Sequence, residues 1–421
     1  MKLEEVPQDL KYYKDSVVRD LTYAVDEQGQ YQAVVSDGWE PKNDALELAL
    51  EEGGNNNDEI SDVPSSVTQA KQPSSLRSVQ LDIPHRQAAH CENGTISSLL
   101  RYYNIDLSEP MVFGLASGLF FSHMPFVKLN GLPVTSFRTF PGVFFRRITK
   151  ALGIKRKTRR FLSSEKAMDM LDRLLLQRQI PVGCVVGMYD LPYIPKEYRF
   201  RFNGHNICVV GKDEATGDYT VLDSNATQKV TISRTDLAKV RFAKGGTYPL
   251  LGQMYWIESV PERLPDMKPV ILKAIRKTCR NMTCYPKFIP YFGTNGILYL
   301  SRRIRKWGCT MSDHDARMNL AQVIRMLEEI GTGGAGFRFI YAAFLQESSN
   351  ITGLKVLNDY SQRITRIGDR WREFAYKGSR IIKKRKGETY TFDDLGDLLY
   401  KIGVLENEFY KELNSVVKQY L

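Results

Sequence analysis

Toward the C-terminal end, apolar positions recur every three to four residues over 316–330, 336–347, 354–374 and 393–421. That period is the mark of helices with one buried face. Gly331, Gly333, Gly334 and Gly336 separate the first two stretches and read as a helix junction, where glycines permit close packing. Upstream the pattern changes. Residues 181–188, 205–210 and 219–222 are short runs rich in Val and Ile, and 213–218 (DEATGD) is a hairpin turn joining the last two. Two helices precede them, at 95–103 (TISSLLRYY) and at 164–179, where Ala167, Met168, Met170, Leu171 and 174–176 form the apolar face. Helices followed by an antiparallel sheet predict an α+β fold.

Near the start, 17–25 and 31–36 are β-like around a turn at 26–29, and Asn43 or Asp44 could cap a helix running to Leu50. Residues 53–78 hold few large apolar groups and read as a linker. The expected division is a small acidic α+β module at 1–52, a linker at 53–78, an α+β unit at 79–260 and a helical unit at 261–421.

The chain has 421 residues, 43% apolar and 25% charged, as in an ordinary globular protein. Its longest apolar run, 111–127, is broken by Ser117, Ser122, His123 and two glycines, which favours buried core over a membrane span. Phe113, Phe120, Phe121 and Phe126 in that run could line an acyl channel, with plain core as the alternative. The start, Met-Lys-Leu-Glu-Glu, lacks the apolar segment of a signal peptide, so a cytoplasmic location is expected. The net charge of +11 is uneven. Residues 1–62 carry 5 Lys/Arg against 16 Asp/Glu, so the acidic start sits on a strongly basic remainder. That balance suits an acidic partner, or the module lying against the body.

The six cysteines show no CxxC pair and no finger-like spacing with histidine, so neither zinc nor a disulfide framework is expected. Cys184 and Cys208 sit in apolar strand-like runs and read as core. Cys91 stands apart, between Ala-Ala-His and Glu-Asn-Gly and just before the 95–103 helix. A thiol there gains from helix N-terminal N–H groups, which favour the thiolate and can also hold an oxyanion. Gly94 would allow a tight start to that helix. Among the five histidines, His205 opens one strand of the hairpin and Asp223 closes the other, eighteen residues later. With the turn near Ala215 they fall close to opposite one another, so the carboxylate can hold one ring nitrogen while the other meets the thiol. The alternative is three unrelated structural residues.

His90-Cys91 with the following helix, the stretch Val112 to Leu119, the block Asp190-Leu191-Pro192-Tyr193, and Gly204-His205 through Asp223 resemble the N-terminal domain of the butirosin biosynthesis protein H family. Gly331-Thr332-Gly333-Gly334-Ala335, Phe337-Arg338 and Tyr341 through Leu345 resemble the helical domain that often follows it. The resemblance covers about residues 80–421. It implies a papain-like cysteine peptidase/acyltransferase fold akin to bacteriocin-processing peptidases. It also implies acyl transfer from an acyl carrier protein thioester to an amine, with Cys91 as nucleophile, His205 as base and Asp223 as the acid that steadies it. Two departures stand out. The acidic module has no counterpart, and the related peptidases place a Gln six residues before the Cys, where this chain has His85. Gln87, at another offset, is the candidate for the side-chain half of the oxyanion hole.

The basic run 146–160 contributes Arg146, Arg147, Lys150, Lys155, Arg156, Lys157, Arg159 and Arg160. A carrier protein presents an acidic helix, so this run is the candidate carrier-binding surface, against a plain solvated loop. No aromatic platform is interleaved with these charges, which argues against nucleic acid. The expected function is therefore a cysteine-dependent acyltransferase acting on an amine or hydroxyl acceptor, small molecule or peptide. It needs no cofactor or metal beyond the phosphopantetheine of the carrier. A peptidase, amidase or thioesterase with the same three residues, and a binding protein with a vestigial site, are the alternatives.

Overall fold

The structure is a computed structural model; it describes residues 78–421 apart from 130, 196–198, 200–201, 245–248, 287, 385–386 and 388, together with two short strands nearer the start. Those strands, β1 (Thr22–Val25) and β2 (Tyr31–Val34), form the expected antiparallel hairpin, pairing Thr22 with Val34 and Val25 with Tyr31. The expected helix ending at Leu50, and all of the expected linker but Ser78, lie outside the described residues.

β3 (Val79–Gln80) leads to α1 (Cys91–Tyr102), α2 (Glu109–Leu115), β4 (Leu119–Leu129), β5 (Leu132–Arg138) and α3 (Val143–Ala151). β6 (Lys155–Arg159) and α4 (Ser164–Asp172) follow, α4 running into a π-helical turn at Arg173–Gln177. Next come β7 (Val182–Gly187), β8 (Asn203–Lys212), β9 (Tyr219–Leu222), β10 (Val230–Ile232), α5 (Arg234–Arg241) and β11 (Met254–Ser259). The rest is helical: α6 (Met267–Thr283), α7 (Gly293–Thr310), α8 (Asp313–Glu328), α9 (Arg338–Thr352), α10 (Val356–Ile382) and α11 (Phe392–Lys418), with a 3₁₀ turn at Ala335–Phe337. The architecture is α+β. No helix among the described residues is long and apolar enough to cross a membrane.

The main sheet is antiparallel, in the order β10-β9-β8-β7-β11-β6, with β3 also pairing with β8. Its central strands β7, β8 and β11 are buried along most of their length because both faces are covered. Along β8, Cys208 and Val210 belong to one buried cluster and Ile207 and Val209 to another; along β11, Tyr255 and Ile257 alternate likewise with Met254 and Trp256. One face receives α1 through Ile96, Leu99 and Leu100. The other receives α4 and α5 through Met168, Leu171, Leu237 and Val240. Serines cap these helices: Ser163 Oγ accepts from Lys166 N–H, and Ser233 Oγ from Asp236 N–H.

Three expectations change. The 95–103 helix begins at Cys91 instead, because the His90 side chain caps it. The basic run 146–160 is not one loop. Arg146, Arg147 and Lys150 ride on α3, while Lys155–Arg159 form β6, the last strand of the sheet order. Charge on such an edge discourages pairing with another chain. The 111–127 run folds as α2, a turn and most of β4. Phe113, Phe120 and Phe121 are core, whereas Phe126 is 65% exposed.

The β4–β5 hairpin projects into the helical part, where α7 packs on β4 and α8 on β5. Trp371 of α10 closes this joint, edge-on to Phe137 (5.3 Å between centroids) and stacked near Phe121 (6.1 Å). Truncating such a buried Trp costs about 3–5 kcal/mol. A single apolar core thus runs from Leu81 to Val417, through α1, the hairpin and every helix from α6 to α11.

Candidate active site

The segment entering α1 has its backbone held from three sides. Ala88 N–H donates to the Ser224 carbonyl (3.3 Å), beside the end of β9. The Glu109 carboxylate, at the start of α2, accepts from Ala89 N–H through Oε2 (2.9 Å) and from His90 N–H through Oε1 (2.7 Å). From the helical part, Gly331 (φ +71°) comes so close that a Cβ there would lie 2.5 Å from the Ala89 carbonyl oxygen and 3.6 Å from His90 Cα. Gly94 also serves close approach: a Cβ would meet Ala88 Cβ at 2.9 Å and Ser224 Cβ at 3.0 Å. Its role is packing inside α1, not the tight helix start expected from sequence.

His90 is buried. Its Nδ1 accepts from Asn93 N–H (3.4 Å), and its ring packs edge-on to Phe337 (5.3 Å) and tilted to Phe144 (5.7 Å). Burial, with help from the Arg138 and His205 charges, pushes its pKa well below the usual imidazole value, so the ring is a neutral cap. Cys91 is then the first residue of α1 and is half-buried. Glu92, next in line and 2% exposed, accepts from Arg138 Nη1 (2.7 Å) and Gly142 N–H (2.9 Å), which ties α1 to the end of β5.

His205 and Asp223 meet as the hairpin register implies. Cys208 pairs with Leu222, so Asp223 continues the ladder next to Ile207, one same-face step from His205. His205 Nε2 lies 2.7 Å from Asp223 Oδ2. Asp223 is fully buried and accepts two further bonds, from Tyr193 O–H at Oδ2 (2.9 Å) and from Asn225 N–H at Oδ1 (2.9 Å). Burial alone would raise its pKa; the His205 charge and these donors hold it below the usual carboxylate range. His205 shows the mirror case. Burial alone would lower its pKa, but the Asp223 charge, and then the Cys91 charge and hydrogen bonds to both, raise it well above the usual imidazole value. With Nε2 given to Asp223, Nδ1 is the nitrogen left for the thiol.

The geometry therefore joins Cys91, His205 and Asp223. A thiol beside an imidazole that a buried carboxylate orients can pass its proton to the ring and attack an electrophilic carbonyl. Two residues overlooked in the sequence complete the arrangement. Tyr193 lay in the Asp190–Tyr193 block but carried no role there. Glu109 sits between Ser108 and Pro110 and reads as nothing more than part of a helix start; Ser108 Oγ does accept from Met111 N–H (3.1 Å). Nothing in the sequence singled Glu109 out, because its partners are backbone amides.

Gln87 is half-buried in a cleft of about 210 Å³ with Arg86, Gly94, Ser97, Arg101 and Glu347, a cleft that Cys91 does not line. His85 Nε2 bonds the Ala226 carbonyl (2.7 Å). Of the basic run, Arg147 points inward and donates to the Ala116 and Ser117 carbonyls (2.9 and 3.0 Å). Lys157 pairs with Glu258 (3.2 Å), and Arg160 donates to Gln253 (2.8 Å). Arg146, Lys150, Lys155 and Arg159 are exposed, and Arg156 is half-buried. Among the described residues, no group of three or more His, Cys, Asp or Glu side chains is placed to hold a metal.

Residues 90–224 match the family model described as butirosin biosynthesis protein H, N-terminal. Residues 235–413 match a second, described as a domain of unknown function, DUF4872. No curated protein matches the chain. The first match begins one residue before Cys91 and ends one residue after Asp223.

Proposed function

Since this chain belongs to the butirosin biosynthesis protein H-like family, we propose that it is a biosynthetic cysteine-dependent acyltransferase on a papain-like scaffold, working in the cytoplasm. Residues 79–260 are its catalytic part and 261–421 a helical part. The observation that supports this best is the His205 imidazole, which engages buried Asp223 through Nε2 at 2.7 Å and lies within reach of the Cys91 charge.

The Cys91 thiolate attacks the carbonyl carbon of a carrier-bound thioester. The negative charge that develops on oxygen is met by the Cys91 amide in the first turn of α1, with the positive end of that helix behind it. Because Glu109 occupies the Ala89 and His90 amides, those two are not donors to the oxyanion. Collapse breaks the bond to the pantetheine sulfur, which leaves with the proton from the His205 imidazolium. An acyl-Cys91 thioester remains. His205 then takes a proton from an incoming amine or hydroxyl, whose nitrogen or oxygen attacks the acyl carbon. The C–S bond breaks and the thiolate–imidazolium pair is restored. Asp223, with Tyr193 behind it, fixes the ring orientation throughout. Arg146 and Lys150 on α3, with Lys155 and Arg159 on β6, steer the acidic carrier.

The test is intact-protein mass after mixing with a panel of acyl-pantetheine and acyl-carrier thioesters, wild type beside Cys91→Ala. An acyl-sized gain in wild type alone is expected. No gain with any thioester would sink the reading. Partition of the acyl group between added amine and water then separates transferase from hydrolase.

A further inference from the structure

The outer face of α6 carries a charge pattern that neither the fold nor the proposed reaction uses. Lys273, Arg276, Lys277 and Arg280 line a cavity of about 560 Å³ together with Asn281 and Tyr285, and no carboxylate lines it among the described residues. Spacings of three and four residues put these cations on one stripe, and like charges so placed on a helix repel. Arg280, in the last turn, gains from the helix dipole. Lys273, Arg276 and Lys277 gain nothing comparable.

Two further observations bear on this face. Arg276 Nε is buried with no hydrogen-bond partner among the described residues. Lys277 has its pKa lowered by partial burial and then by the charges of Arg147, Arg146 and Lys150, so α3 brings three more cations to the same field. Positive charge is thus concentrated in a concave place with no carboxylate lining it among the described residues.

We propose that this cavity binds a compound carrying a chain of phosphate groups. Lys273 to Arg280 span roughly 10 Å of helix, longer than a single phosphate can bridge. Guanidinium forks at Arg276 and Arg280 match phosphate oxygens in pairs, and the lysines add point charges between them. The volume is that of a small-molecule site. Tyr285 and Asn281 offer a ring and an amide to an organic group beyond the phosphates.

Titration calorimetry of the full-length protein with sodium tripolyphosphate and, separately, with ATP tests this. One saturable site is expected, weakened by added salt and by about tenfold or more in the Lys273→Ala/Lys277→Ala double variant. A Lys155→Ala/Lys157→Ala variant on β6 should bind as wild type does. Tighter binding of ATP would mark the occupant as a nucleotide; equal affinity would mark the phosphate chain itself. Three results would overturn the site: no saturable binding of either probe, equal weakening by the β6 substitutions, or binding of an acidic carrier protein with neither probe bound. Because the readout is binding alone, it stands or falls separately from chemistry at Cys91.

Discussion

Asp223 and Glu406 are both fully buried, and each holds a cationic partner, yet their surroundings differ in kind. Glu406 receives Arg338 Nε and Nη2 (2.9 and 3.0 Å) and the Trp371 indole N–H (2.6 Å), while the Arg338 guanidinium lies 5.0 Å from the Trp371 ring centre. These partners belong to α9, α10 and α11, far along the chain from one another, and the cluster locks the helices together. Asp223 also takes three donors. One of them is an imidazole with a second nitrogen, and the ring lies in the field of a half-buried thiol, Cys91. Burial and charge pairing are common to both places. What separates them is a partner with a proton to exchange and something reactive to exchange it with.

Breaking each carboxylate should therefore give opposite results. Asp223→Asn is expected to cut acyl transfer by roughly 10⁴-fold. Stability should suffer less, because His205 can shed its proton. Glu406→Gln strands an Arg that cannot, and should cost about 3–5 kcal/mol in denaturant unfolding, with turnover per folded molecule retained. If both variants lose stability alike and activity alike, the contrast fails.

The contrast sharpens with pH. A folded His205 pKa above its unfolded value gives stability that is fully present below about pH 6.5 and lost as pH rises through the folded pKa. The stability gap between wild type and His205→Gln should accordingly narrow on going alkaline. The Glu406 cluster has no group of that kind, so the gap for Glu406→Gln should stay level between pH 6 and 8; a parallel narrowing would contradict the assignment. The smallest effect expected is at Tyr193. Tyr193→Phe removes one of three donors to Asp223 and should slow turnover by about tenfold, or about 1.4 kcal/mol, while the variant folds as wild type. An unchanged rate would make Tyr193 a packing residue only.

The sequence carried the β8–β9 hairpin well because its information is local. Asp213–Asp218 set the turn, and the turn set the register that brings His205 to Asp223. The long helices α8 to α11 were legible from their period. The β4–β5 hairpin was not: Leu119 to His123 are buried on both faces, so no alternation marks a strand. α7 was missed because it opens on Gly293-Thr294-Asn295-Gly296, residues that argue against a helix. Of the site itself, the side chains that meet across the hairpin could be read, whereas the Glu109 clamp and the Gly331 contact could not. Both act on backbone atoms from distant parts of the chain, and backbone partners leave no trace in residue type.

Gly331 also bears on inheritance. It lies within 235–413, the stretch matched by the second family model, yet the space it leaves empty is filled by Ala89 and His90, at the threshold of the first. Any side chain at 331 would have to displace the carbonyl two residues before Cys91. The two matched stretches are therefore not modules that recombination could exchange freely. A lineage that swapped the helical half would have to carry this one glycine along, and a graft of 90–224 alone onto another scaffold would arrive without the surface that packs against the backbone of Ala89 and His90.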